Sequence, residues 1–383
     1  MLLGALLIPH QFSKNLYMSL PFWMIVFCAI VVMPLAFLQT RQKDNNVILY
    51  FFVYIIVTLI TTVHSSDFAR SSQILLLNFS YFLIFLGSGA AFYSLGQRKK
   101  FINLFVFVVF ILGMISSYSF IKGYINLTQE GISFMWGYFG HNHISVLLIV
   151  GIPLLIYCLW VSPKLIRIVG LLVLLFFLHT LLISFSRSAI LAIMTSLILG
   201  TVVFFQVKKG INFKAVFFLG AIFVVLIFFS VLIMERKSLR TVQTRLSEYQ
   251  SAVDLFTQRP FVGFGPGTYA HVNIKSDSPA QRSFFAHNLL IQTLVEGGVL
   301  LFSSTIFLYC SLFVHITKSI QEIAAKKEKY FYVALWVGLV AVFTNEMMDF
   351  DLQLPSVGGI FWLIAGICVF RKQGVRSIVD FYN

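Results

Sequence analysis

Apolar runs of about 19 residues, long enough to cross a ~30 Å hydrocarbon core as helices, recur along the chain with polar breaks between them. They fall near 18–38, 47–63, 73–95, 101–121, 143–161, 165–184, 189–206, 213–234, 290–315, 330–346 and 357–370. This pattern predicts eleven spans, and residues 1–12 offer a short or partial twelfth. The fold class expected is therefore an all-α polytopic membrane protein, one integral membrane domain over 1–383. Within it, the segment 235–286 forms a single large loop, while every other connection is short. A long ordered loop in a compact protein is usually functional. It opens with R-K-S-L-R-T-V-Q-T-R-L-S-E-Y-Q-S-A-V-D-L-F, in which Arg245, Tyr249 and Ala252 fall on one helical face. Leu246, Val253 and Phe256 fall on a neighbouring stripe. An amphipathic helix near the membrane surface is predicted, stopping at Arg259-Pro260.

Composition makes lipid the solvent. Hydrophobic residues are 59% of the chain, charged residues 11%, and mean hydropathy is +0.90, with 43 Phe. A soluble domain carries roughly a quarter charged residues, so this chain cannot cover a water-facing surface. Cys28, Cys158, Cys310 and Cys368 each sit in an apolar stretch and are expected as small buried hydrophobes, neither disulfide nor metal ligands. The opening MLLGALLIPH lacks a basic segment ahead of its apolar run, so no cleavable secretory signal is expected. The net charge of +14 is spread over short loops with no contiguous basic stripe, which excludes nucleic acid as the expected partner.

Most of the Lys and Arg lie in alternate loops: TRQKDNN (40–46), QRKK (97–100), SPKLIR (162–167), VKKGINFK (207–214), TKSIQEIAAKKEK (317–329) and the tail RKQGVR (371–376). Basic loops stay cytoplasmic, and placing these six inside makes every span alternate. The opposite face then holds 235–286 and the acidic EMMDFDLQLP. The large loop nevertheless carries Arg236, Lys237, Arg240, Arg245, Arg259, Lys275 and Arg282 against Glu235, Glu248, Asp254 and Asp277. Positive charge outside is not demanded by insertion, and an anionic ligand there explains it most simply.

Candidate chemistry gathers on that face. Arg187, in L-L-I-S-F-S-R-S-A-I, is either an arginine snorkelling to headgroups or a charge set among Ser184, Ser186 and Ser188 in a polar cavity. The glycines of F-V-G-F-G-P-G-T-Y (Gly263, Gly265, Gly267) read as a tight backbone path folding the loop over the membrane face; without a flanking strand and helix they are weak evidence for nucleotide binding. His287 and Asn288 open the next span, where a histidine either completes a helix start or, as a neutral imidazole, acts as a general base. Glu296 lies deeper in that helix, an intramembrane carboxylate whose expected partner is Arg187 or Arg245. His141 and His143 form an H-x-H on the same face, suited to a supporting role at the mouth of the site rather than to a metal. With neither CxxC nor HExxH, and neither Asp-x-Asp nor clustered carboxylates expected for Mg²⁺, arginine would have to supply positive charge to any phosphate.

At these residues the chain resembles the O-antigen ligase and O-antigen polymerase superfamily of bacterial envelope glycosyltransferases. S-F-S-R-S-A at 184–189 looks like the family's S-R-(S/G) element. T-R-L-S-E-Y-Q-S-A-V followed by R-P-F-V-G-F-G-P-G-T-Y looks like its R-x-x-x-W/Y … P-x-x-G-x-G-x-G element. A-H-N-L-L-I-Q-T-L-V-E-G-G looks like its H-N-x-x-L … E-x-G element, and Tyr249 stands where Trp is more usual. The resemblance implies a glycosyltransferase of the bacterial inner membrane with its site on the periplasmic face, using no cofactor. It implies Arg187 and Arg245 on the diphosphate of an undecaprenyl-diphosphate-linked glycan and His287 as base on the acceptor hydroxyl. Asn288, Glu296, Tyr249, His141, His143, Gly263 and Gly265 would support them. A ligase would use lipid A–core oligosaccharide as acceptor, and the absence of a large soluble appendage favours it over a polymerase, which uses a second lipid-linked repeat. A transporter of a lipid-linked anionic glycan is the alternative of another class. It would require internal repeats and a polar path through the full depth, and neither is visible.

Overall fold

The computed structural model describes residues 3, 19–39, 46–92, 94–130, 141–206, 237–274 and 285–371, and every element among them is helical. The long helices are α1 (Leu20–Gln39), α2 (Asn46–Val63), α3 (Phe68–Ala91), α4 (Leu95–Glu130), α5 (His141–Val161), α6 (Lys164–Ile183) and α7 (Arg187–Gln206). The loop supplies α8 (Lys237–Gln258) and the short α9 (Tyr269–Ile274). The chain then runs through α10 (Leu289–Gln321), α11 (Lys326–Asn345), a 3₁₀ turn (Asp351–Gln353) and α12 (Pro355–Val369). Ten of the eleven expected spans appear as helices at their expected positions; the span at 213–234 and the segment 1–12, Leu3 apart, lie outside the described residues. Six of the described helices are long and apolar enough to cross a membrane, and three more are shorter apolar helices.

Burial sorts these helices into a centre and a rim. α12 is buried along its whole length, packed on α3, while α11 packs against α5 and α7. At the centre Phe51 meets Trp362 with ring centroids 4.3 Å apart, and Phe85 meets Phe370 at 5.2 Å. α6, by contrast, buries only Phe177, Thr180 and Leu181, and it turns Leu165, Leu172 and Leu182 outward. Such faces are stable only against lipid, which matches the low charge of the chain. Cys28 and Cys368 are buried, but Cys310 is exposed on α10, against the expectation. An apolar neighbourhood in sequence does not say which side of a helix faces the bundle.

α10 is broken near its start. Gly298 sits at φ 60°, ψ −162°, so the helical hydrogen-bond ladder is interrupted there. The loop 260–265 fills the gap: Phe264 N donates to Val295 O (3.1 Å) and Gly265 N to Glu296 O (2.7 Å). In return Val299 N donates to Pro260 O at 2.8 Å. The two backbones are close enough that a Cβ on Gly298 would lie 2.4 Å from Phe261 O, and one on Gly263 (φ 62°) would lie 2.5 Å from Glu296 O. Gly265 and Gly267 also take positive φ, 108° and 75°. Ser66 N and Ser71 Oγ, at the start of α3, hold the same loop from the other side through Phe264 O and Pro266 O.

Gly298→Ala is expected to destabilise the protein by roughly 1–3 kcal/mol from backbone strain alone, seen as a lower midpoint of thermal unfolding in detergent. An unchanged midpoint would contradict the interlock.

Candidate functional site

The starts of α3, α5, α7, α10 and α12 and the ends of α2, α6 and α11 meet at one end of the bundle, roofed by α8 and the glycine loop. Asn288 caps α10: its Oδ1 accepts from Leu290 N and Ile291 N at 3.0 Å each, and its Nδ2 donates to Met347 O at 2.9 Å. Leu289 N donates to Glu346 O (2.8 Å), so the start of α10 is fastened to the end of α11. His287, immediately before the cap, holds φ 49°, a region few non-glycine residues occupy. Phe185 holds φ 53° two residues before Arg187. These are the two positive-φ non-glycine residues among the described residues, and each abuts a candidate side chain. Strain of this kind concentrates at functional sites.

The turn between α11 and α12 supplies what sequence reasoning missed. Asp349 Oδ1 lies 3.5 Å from His287 Nδ1, within ion-pair reach and at the long limit of a hydrogen bond. Asp351 Oδ1 pairs with His143 Nδ1, while its Oδ2 accepts from Asn345 Nδ2 at 2.8 Å. Between them the ring of Phe350 packs edge-on to both imidazoles, at 5.0 Å from His287 and 5.9 Å from His143, and stacks on Phe285 at 3.8 Å. Glu346, Asp349 and Asp351 are all buried. Burial, reinforced by Asp351, raises Asp349 above the usual carboxylate range, and burial with both aspartates raises Glu346 well above it. The expectation of no carboxylate cluster is thus corrected. The legible signal was the Asp-x-Asp spacing of 349–351 directly after an apolar span. Among the described residues no three His, Cys, Asp or Glu side chains are disposed to hold a metal ion.

The remaining candidates fall into two groups. Glu248, Ala252 and Leu255 form the buried stripe of α8, Arg245 and Tyr249 are half-buried at its edge, and Leu246 and Val253 face outward. Tyr249 OH donates to His287 O at 3.4 Å, which seats this edge over the start of α10. Arg245 Nη1 donates to Glu248 Oε2 at 2.9 Å, and its side chain remains 29% exposed. Arg187 opens α7, half-buried; Ser145 Oγ donates to Ser184 Oγ (2.8 Å), which ties its turn to α5 two residues from His143. No contact joins Arg187 to Arg245 or to His287 among the described residues. His143 is buried rather than at the mouth, and the side chain of His141 lies outside the described residues.

Glu296 does not meet either arginine. Its Oε2 accepts from Gly267 N (2.8 Å), and its Oε1 from Gln292 Nε2 (2.9 Å) and Tyr269 N (3.3 Å). The carboxylate is an internal staple between α10 and the glycine loop. Backbone amides are strong donors at fixed positions and satisfy a buried anion as well as a guanidinium can.

An all-helical polytopic membrane protein with histidine–carboxylate pairs and basic side chains at one end is the class these features define. Residues 170–306 match the family model described as O-antigen ligase, a span holding Arg187, Arg245, the glycine loop, His287 and Glu296. The match supports placing the chain in the O-antigen ligase superfamily, whose members are ligases and polymerases acting on glycans in a lipid bilayer. No curated protein matches the chain.

Glu296→Ala would leave two loop amides without their acceptor, at about 1–3 kcal/mol for each buried donor. Faster limited proteolysis within 259–269 is the expected readout. Wild-type protection there would show that the loop does not depend on Glu296.

Proposed function

We propose that this protein is an O-antigen ligase that transfers a glycan from an undecaprenyl-diphosphate carrier to lipid A–core oligosaccharide, at the periplasmic face of a bacterial inner membrane. The observation that carries this reading is the seating of the Arg245 edge of α8 on His287 through Tyr249. It sets a cation for an anionic leaving group one helical turn from the tyrosine that bonds the backbone of the base for an incoming hydroxyl. His287 takes the proton of the acceptor hydroxyl as its oxygen bonds to C1 of the donor sugar. The C1–O bond to the diphosphate breaks, and the electron pair leaves on the lipid diphosphate. Direct displacement inverts the anomeric centre.

Arg187 and Arg245 stabilise that departing charge. A guanidinium has five N–H donors, so the single bond from Arg245 to Glu248 leaves most of the fork for phosphate oxygens. Bidentate pairing from two arginines does here what a divalent cation does in other diphosphate-cleaving sites. The clustering of the candidates at one end of the bundle favours transfer over transport, since a transport path needs polar groups along its depth.

His287→Ala should abolish transfer of a lipid-linked glycan by protein in proteoliposomes while insertion and thermal stability stay intact; full turnover would remove the base from the mechanism. Arg187→Lys and Arg245→Lys keep charge but lose the fork. Each should lose roughly 10–100-fold in turnover, the equivalent of ~1.5–3 kcal/mol for a charged hydrogen bond. Wild-type rates in both would reduce the arginines to bulk electrostatics. EDTA should leave turnover unchanged, and inhibition reversed by added magnesium or zinc would overturn the arginine-only account.

A further inference from the structure

Two histidine–aspartate pairs flank Phe350, and they are not equivalent. His143 and Asp351 are sealed, with side chains 5% and 0% exposed, and Asn345 holds the second oxygen of Asp351. His287 keeps 17% of its side chain exposed, against 1% for Asp349. Its Nδ1 is buried and makes no hydrogen bond of normal geometry among the described residues, and the Asp349 carboxylate stands 3.5 Å from it. The exposure of the side chain therefore lies elsewhere on the imidazole than at Nδ1. The ring is held on its other sides by the edge-on Phe350 and by a backbone fixed at positive φ, whose carbonyl accepts from Tyr249.

We infer that Asp349 is a positioning residue for His287: it accepts the Nδ1 proton, fixes the ring, and leaves Nε2 as the lone-pair nitrogen turned toward the acceptor hydroxyl. The inference rests on the reading of His287 as the base and adds the group that makes it one. A carboxylate on one imidazole nitrogen selects the tautomer and stabilises the imidazolium formed when the other nitrogen takes a proton. In the transfer step the acceptor proton passes to Nε2, and the Nδ1 proton stays against Asp349. Product release then frees the Nε2 proton to water. Among the described residues, the other ionisable groups that act on Asp349, Glu346 and Tyr249, the neighbours of His287, are His143 from α5, Asp351 from the α11–α12 turn, and Arg245 and Glu248 from α8.

The test is the pH–rate profile of Asp349→Asn, Asp349→Ser and Asp349→Glu beside His287→Ala, in the full-length protein in proteoliposomes. Loss of the anion should lower kcat by about 10²–10⁴-fold, by analogy with removal of the aspartate from a histidine-based triad, with KM for the lipid-linked donor little changed. The acid limb of the profile should move down by about one pH unit in Asn and Ser, because the imidazolium has lost its partner. It should stay in place in Glu, with partial recovery of kcat. Limb position does not depend on how much folded protein remains, so a purely structural role would lower the rate without moving it. If His287→Ala is inactive while Asp349→Asn keeps the wild-type rate and limb, the positioning role is wrong and the base assignment stands. If His287→Ala is active, both fall.

Discussion

The break in α10 is the constraint on which the rest of this structure depends. A helix interrupted near the membrane leaves carbonyls and amides that no lipid can satisfy, each costing several kcal/mol if stranded. Here the groups freed around Gly298 are taken by residues 260–265, in an exchange of backbone hydrogen bonds in both directions. The requirement runs the other way too: a glycine-rich loop has little side-chain mass with which to hold itself down. Val295 O, Glu296 O and the Glu296 carboxylate supply the anchor points. Loop and helix are thus conditions of each other, and α8, which leads into the loop, is placed as a consequence.

From that anchor the site assembles by short links. α8 is seated on His287 by Tyr249, His287 stands before the cap of α10, and the cap is bound to the α11–α12 turn through Glu346 and Met347. Three buried carboxylates crowd that turn. Burial and like charge raise their affinity for protons, so negative charge persists in this cluster only where a partner offsets it, as His143 does for Asp351 and His287 for Asp349. This end of the bundle therefore combines a partly exposed Arg245 with buried carboxylates paired to histidines. That polarity suits a reaction in which a phosphate leaves from above while a proton is taken up below.

The spans, the amphipathic α8 and the stopping point before Pro260 were legible because each is a local pattern, readable at helical spacing or from one proline. The stripe expected through Arg245, Tyr249 and Ala252 lies one position off the buried one, Glu248, Ala252 and Leu255, because helical spacing alone does not fix which stripe turns inward. What escaped was the choice of partners across the fold. Glu296 was matched in expectation to a distant arginine and instead accepts backbone amides, which carry no sequence signature. His143 and Asp351 are separated by 208 positions, and nothing local to either announces the other. The Asp-x-Asp at 349–351 is present in the sequence although none was expected, and EMMDFDLQLP was read only as an acidic outer turn, since topology explains acidic residues there without chemistry. Cys310 shows the same limit on a smaller scale: apolar surroundings identify a span, not its inward side.

The central claim is that this end of the bundle moves a finished glycan from a lipid carrier onto lipid A–core oligosaccharide. The most direct measurement is the glycolipid profile of a strain lacking this protein, complemented by the wild-type gene. The account predicts bare lipid A–core, with undecaprenyl-diphosphate-linked polymer accumulating in the inner membrane. Core carrying one repeat unit would reassign the reaction to polymerisation, and an unaltered profile with no accumulating lipid-linked intermediate would contradict the account outright.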